Sequence, residues 1–130
     1  MPSLNKVQLI GHVGADPSVR LLPEGQMASF RLAVSERWRS RKSGQLQEST
    51  EWFSIVLYAG LAEVAAQHIR KGTLLYVEGK QRTQCWIDRE TGEERQRVVV
   101  VGSQIQMLGR PKNDVAHEEI GQEADDDVIC

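Results

Sequence analysis

Four aromatic side chains of this sequence keep company with positive charge. Trp38 stands inside the run 37-RWRSRK-42, between Arg37 and Arg39 and just before Arg41 and Lys42. Trp86 has the same strand parity as Lys80 and Arg82, and Trp52 and Tyr58 share a parity within TEWFSIVLYAG. Aromatics make up only 5% of the 130 residues, so their placement carries information. A planar ring is a platform on which a nucleobase of any identity stacks, worth about 1–3 kcal/mol per base, while nearby Lys and Arg neutralise phosphates. In a duplex the base faces are already stacked on one another, so this chemistry suits an unpaired strand. Lys6, Arg37, Arg39, Arg41, Lys42, Lys80 and Arg82 are the candidate phosphate partners.

Packing offers an alternative for each ring. Trp52 lies on a segment apolar on both parities, Tyr58 ends that segment before Gly60, and Trp38 shares even parity with Phe30, Leu32 and Val34. A strand running on unbroken would turn Trp38 inward, so its exposure calls for a bulge or a strand end near Glu36. Trp86 has no apolar period to join. Catalytic readings have less to stand on. His12, His68 and His117 are scattered, no metal-ligand spacing surrounds them or the two cysteines, and the glycines of LIGHVGADP lack the ending of a phosphate-binding loop. The expectation is a protein without catalytic residues, metal or cofactor.

The elements that position these residues follow from periodicity. Alternation predicts a strand over about residues 4–13, a second in MASFRLAVS with Ala28, Phe30, Leu32 and Val34 facing one way, and a third in TEWFSIVLYAG. GLAEVAAQHIRKG changes to a helical stripe of Leu61, Ala65 and Ile69, with Lys71 suited to the negative end and Gly72 to the stop. Two long strands then flank a turn near residues 89–92, and their polar middle predicts a hairpin reaching beyond the body. Three strands, a helix and two strands is the order of an all-β OB-fold, a five-stranded Greek-key barrel.

Charge divides the chain. Residues 1–112 carry all 16 Lys and Arg against 11 Asp and Glu, whereas residues 113–130 carry 7 acidic residues and no basic one. The expected organisation is an OB-fold domain over 1–110 and a disordered acidic tail over 111–130. No apolar run is long enough to span a bilayer, the opening residues predict no export signal, and Cys85 and Cys130 make a poor disulfide framework. A cytoplasmic setting is expected.

The segments NKVQLIGHVGADPSVR, LAVSERW, ESTEWFSIVLYAGLAEVA and IRKGTLLYVEGKQRT, followed by Trp86, resemble the bacterial single-stranded DNA-binding proteins in order and spacing over about residues 4–108. That resemblance implies a homotetramer that wraps single-stranded DNA and recruits replication and repair enzymes through an acidic tip. It also implies that the base-stacking aromatics are Trp38, Trp52, Tyr58 and Trp86. Tyr58 stands where many members have phenylalanine, Phe53 where many have histidine, and Gln84 and Cys85 where a basic pair often precedes the tryptophan. The tail ends in Asp125, Asp126, Asp127, Val128, Ile129 and Cys130, which keeps the family's charge but lacks its terminal aromatic. Two other classes remain open on the residues alone: an OB-fold protein-interaction module and an RNA-binding module.

Overall fold

In the computed structural model, residues 1–110 are described. Residues 111–130, and with them the expected acidic tail and its tip Asp125–Cys130, lie outside the described residues. The elements run β1 (Val7–Val13), β2 (Ser18–Leu22), β3 (Gly25–Arg39), β4 (Leu46–Tyr58), α1 (Ala59–His68), β5 (Leu74–Ile87) and β6 (Glu94–Gly109). The strands form one antiparallel-rich sheet in the order β1-β5-β6-β4-β3-β2, and a further β1–β3 pairing closes five of them into a barrel. This is the expected OB-fold, with a strand that the sequence reading passed over. The sixth strand, β2, lies outside the barrel against β3 in a short hairpin. Its five residues sit between Pro17 and Pro23, and such punctuation reads as loop until the partner strand is seen.

Closure depends on a near-contact of backbones. A Cβ on Gly11 would lie 2.3 Å from the Ala33 carbonyl oxygen, so only glycine lets β1 come this close to β3. Inside, Phe30, Leu32, Ile55, Leu57, Leu75, Val77 and Val100 form the core, which α1 joins through Ala62 and Ala65, followed by Ile69 just past its end. These are the alternating positions of the strands and the stripe of the helix, as periodicity requires.

The helix stops at His68, earlier than the pattern through Gly72 implied. Arg70 turns back on the helix end: its Nη1 donates to the Ala66 and Ile69 carbonyls at 3.0 and 2.8 Å. It thereby satisfies C-terminal acceptors that Lys71 was expected to serve. The Lys71 backbone N–H donates to Asp16 Oδ1 at 2.7 Å.

β3 and β4 pair without interruption from Met27↔Tyr58 to Arg39↔Leu46, well beyond the end of the core. β5 and β6 likewise continue past the barrel to Ile87↔Glu94 around a turn closed by Gly92 at φ 75°. The two hairpins therefore project as arms.

The entry to α1 carries a local misfit. Ala59 adopts φ 54°, where a Cβ is disfavoured, while Gly60 beside it has no such φ and open space where a Cβ would go. Exchanging the pair, Ala59→Gly with Gly60→Ala, relieves a left-handed alanine and removes a helical glycine, each worth about 1 kcal/mol. The expected result is a thermal midpoint raised by several degrees, and an unchanged or lowered midpoint would contradict it.

Candidate nucleic-acid interface

Strand pairing assigns each side chain to a face of the sheet. On β4, Trp52, Val56 and Tyr58 point out of the barrel, opposite Ala33, Ser29 and Met27 of β3. Through Val56↔Val101 this outer face continues onto β6, and through Val101↔Lys80, Val99↔Arg82, Arg97↔Gln84 and Arg95↔Trp86 it continues onto β5. Trp52, Tyr58 and Trp86 thus share one surface. Trp52 is 56% and Tyr58 41% exposed, and Trp86 is half-buried. Trp52 is seated by Gly14: a Cβ there would lie 2.6 Å from Cζ3 of the indole. Beneath the aromatics, Met27, Val56 and Val99 make a small apolar floor.

The same pairing sorts charge. Every Lys and Arg of the six strands lies on this outer face: Arg20, Arg31, Arg37, Arg39, Lys80, Arg82, Arg95 and Arg97. On the opposite face of the strands stand Glu36, Glu51 and Glu94 and no cation. Arg20, Arg31, Arg95 and Arg97 were missed by sequence reading. The signal for Arg31 was its parity opposite Phe30 and Leu32; for Arg20 there was none, because β2 itself went unrecognised. Arg95 also meets Asp88 and Glu93 at 3.4 and 3.8 Å.

Trp38 is placed differently from the expectation. β3 neither breaks nor bulges near Glu36, and Trp38 pairs with Gln47 on the same face as Phe30, Leu32 and Val34. It is nonetheless 48% exposed, because the arm has outrun the core that its face would cover. The run 37-RWRSRK-42 is strand up to Arg39, so Arg37 and Arg39 project to the face opposite Trp38. Arg37 lies 3.9 Å from Glu48, and Arg39 donates to the Gly44 carbonyl at 2.8 Å. Only Arg41 and Lys42 occupy the turn, where Ser40 Oγ accepts the N–H groups of Lys42 and Ser43.

Lys6 is not with the aromatics. It lies 3.6 Å from Glu78, whose other oxygen accepts the Tyr76 hydroxyl at 2.6 Å, and Gln8 Nε2 donates to that hydroxyl at 3.1 Å. The Tyr76 hydrogen bond above all, then the charge and hydrogen bond of Lys6 and a contribution from Gln8, holds the Glu78 carboxyl below its ordinary range, against partial desolvation acting the other way. Among the described residues no three His, Cys, Asp or Glu gather as a metal site. No helix among them is long and apolar enough to cross a membrane.

A face that interleaves aromatics with cations is suited to a flexible polyanion bearing flat rings. Residues 4–108 match the model of the single-strand binding protein family. The chain belongs to that family. Among solved structures it is similar to the Plasmodium falciparum SSB in complex with ssDNA, at 32% identity over 83% of this chain and 97% of that one, with a TM-score of 0.72. The small single-stranded DNA-binding protein from Streptomyces coelicolor has the same fold, at 23% identity over 83% of this chain and 96% of that one and a TM-score of 0.65. The family match spans all four aromatics and both arms of this member.

The Glu78 cluster gives a pH dependence with a definite sign. A carboxyl whose folded pKa is depressed adds stability that is present above its unfolded pKa and lost as pH falls through the folded value. The melting-point advantage of the parent protein over Glu78→Gln is therefore expected to be largest at neutral pH and to vanish below the carboxylate range. Parallel curves would contradict this.

Proposed function

We propose that this chain binds single-stranded DNA with little regard to sequence, stacking bases on Trp52, Tyr58, Trp86 and Trp38 and setting phosphates against the cations of the same surface. The observation that carries the reading is the sorting of all eight strand cations onto the face of Trp52, Tyr58 and Trp86. Lys80, Arg82 and Arg20 are the cations nearest the aromatic row by register, with Arg37, Arg39, Arg41 and Lys42 serving the arm. Lys6, engaged with Glu78, has a structural part instead. The activity is binding, without catalysis or cofactor, and its cellular use is protection of exposed strands during replication, recombination and repair in the cytoplasm, at the nucleoid. The acidic tail, with Asp125–Asp127 and the Val128–Cys130 end, is the proposed contact for replication and repair proteins.

We further propose that the working form is a homotetramer. Its support is the half of the outer surface that carries no strand cation. There Gln8, Ile10, Tyr76, Glu78, Gln104 and Gln106 share one face, and Ile10, on its edge strand, is 54% exposed. β1 pairs with β3 only at His12 and Val13, which leaves an unpaired edge from Val7 to Ile10 among the described residues. An exposed isoleucine beside amide side chains on an open edge suits a second copy.

Titration with oligo-dT is expected to quench tryptophan fluorescence, with log affinity falling against log salt at about 0.7 per phosphate neutralised. Arg82→Ala and Arg20→Ala should each lower that slope by about 0.7, and Tyr58→Ala should cost about 1–3 kcal/mol at any salt. Absence of both quenching and salt dependence refutes DNA binding, and preference for oligo-U at equal salt would favour RNA. Light scattering should give four times the 14.6 kDa chain mass, reduced by Ile10→Glu. A monomer in the parent protein would end the tetramer proposal.

A further inference from the structure

Trp52 rests on ground that two other strands supply. It stands on β4, opposite Ala33 of β3. On the far side of β3, the register that pairs His12 with Ala33 and Val13 with Leu32 brings Gly14, just past the end of β1, beside Arg31. There the Gly14 N–H donates to the Arg31 carbonyl at 2.9 Å. A Cβ on Gly14 would lie 2.6 Å from Cζ3 and 3.1 Å from Cη2 of the Trp52 indole. Neighbouring strands are about 4.8 Å apart, so a side chain standing upright on β4 would not come near a strand two places away. The indole therefore reclines across β3, with its far end on Gly14. Ala33 is half-buried although it belongs to the outer face, as a reclining ring requires.

The glycine is there for the ring and not for its own backbone. Gly25, Gly44, Gly72 and Gly92 have positive φ, whereas Gly14 does not, so an alanine fits its conformation. The backbone around it is also tied down. The Val13 N–H donates to the Thr73 carbonyl at 3.0 Å, the Gly72 N–H to the Val13 carbonyl at 2.8 Å, and the Lys71 N–H to Asp16 Oδ1 at 2.7 Å. A methyl group added at Gly14 thus displaces the indole, which turns about two torsions, in preference to the chain. We propose that Gly14 and Ala33 are positioning residues for Trp52, which hold its ring reclined before a strand arrives so that a base meets a surface already in place. The inference rests on the single-stranded DNA reading above. Immobilising a side chain on binding subtracts from affinity, and a ring that is already seated avoids that loss.

The test has one arm without DNA and one with it. In a chain carrying Trp38→Phe and Trp86→Phe, Trp52 is the sole tryptophan. Adding Gly14→Ala is expected to move its emission to the red and to raise its quenching by acrylamide, with the melting midpoint changed little. Unmoved emission, whatever the midpoint does, overturns the seating. In the otherwise parent chain, Gly14→Ala is expected to weaken oligo-dT binding by about fivefold, the lower end of what one lost base stack costs. The salt slope should stay the same, because no phosphate contact is removed. Ala33→Val, acting from a different strand, should do likewise. A pairwise cycle separates positioning from general disturbance: in a Trp52→Ala background, Gly14→Ala should have no further effect. Equal losses in the two backgrounds, or a loss that comes with a lower salt slope, overturn the assignment while DNA binding stands. Failure of the parent chain to bind oligo-dT would instead remove the functional reading beneath it, and the emission of Trp52 would still decide where the ring rests.

Discussion

The long strands outrun the core, and the rest of the molecule follows from that mismatch. β3 and β6 have 15 and 16 residues, whereas β1, which closes the barrel, has 7. At about 3.3 Å per residue, roughly half of each long strand has no core beneath it. Within the barrel, burial fixes which parity points in, and the phase so set is carried outward along ladders with no bulge in β3–β4 and none in β5–β6 beyond Gly79. On the arms both faces meet water, so the hydrophobic effect no longer chooses between them. Composition is then free to make the two faces electrically different, and it has done so.

Collecting eight cations on one face raises the problem of their mutual repulsion. The register limits it. Arg20 is opposite Met27, Arg31 opposite Ser54, Arg37 opposite Glu48 and Arg39 opposite Leu46. Lys80 and Arg82 are opposite Val101 and Val99, and Arg97 and Arg95 opposite Gln84 and Trp86. No cation faces another directly, the placement in which like charges cost most. Long stems laid over valines keep the charged heads in water while covering apolar surface. The field of the face is thus retained at small cost to the fold.

Much of this was legible in the sequence, because the strands, the helix and the projecting hairpin all follow from period and turn chemistry. The shared face of Trp52 and Tyr58 was legible too, from their common parity on one strand. What escaped depends on pairing, which a single strand does not contain. β2 is five residues between prolines and exists through its partner β3. Arg70 serves the helix end by folding back, a choice of rotamer invisible to periodicity. Lys6 read as one more cation, and the tertiary neighbour Glu78 made it part of a polar cluster.

Trp38 shows how sequence and pairing are reconciled. Parity argued for burial and composition for exposure, and a broken strand was the only way to have both if the core were taken to extend as far as the strand. It does not: the ladder is intact and the ring is exposed. Its same-face neighbours are Glu36 and Gln47, so the cations beside it in sequence are not beside it in space. The arm is only two strands wide, with strands about 4.8 Å apart, a width that one or two nucleotides can cross. Arg41 and Lys42, in the turn that joins the two faces, are the charges a strand would meet in crossing. The basic run of residues 37–42 therefore divides by geometry into two arginines on the cation-bearing face and two cations in the tip turn, with Trp38 on the opposite face.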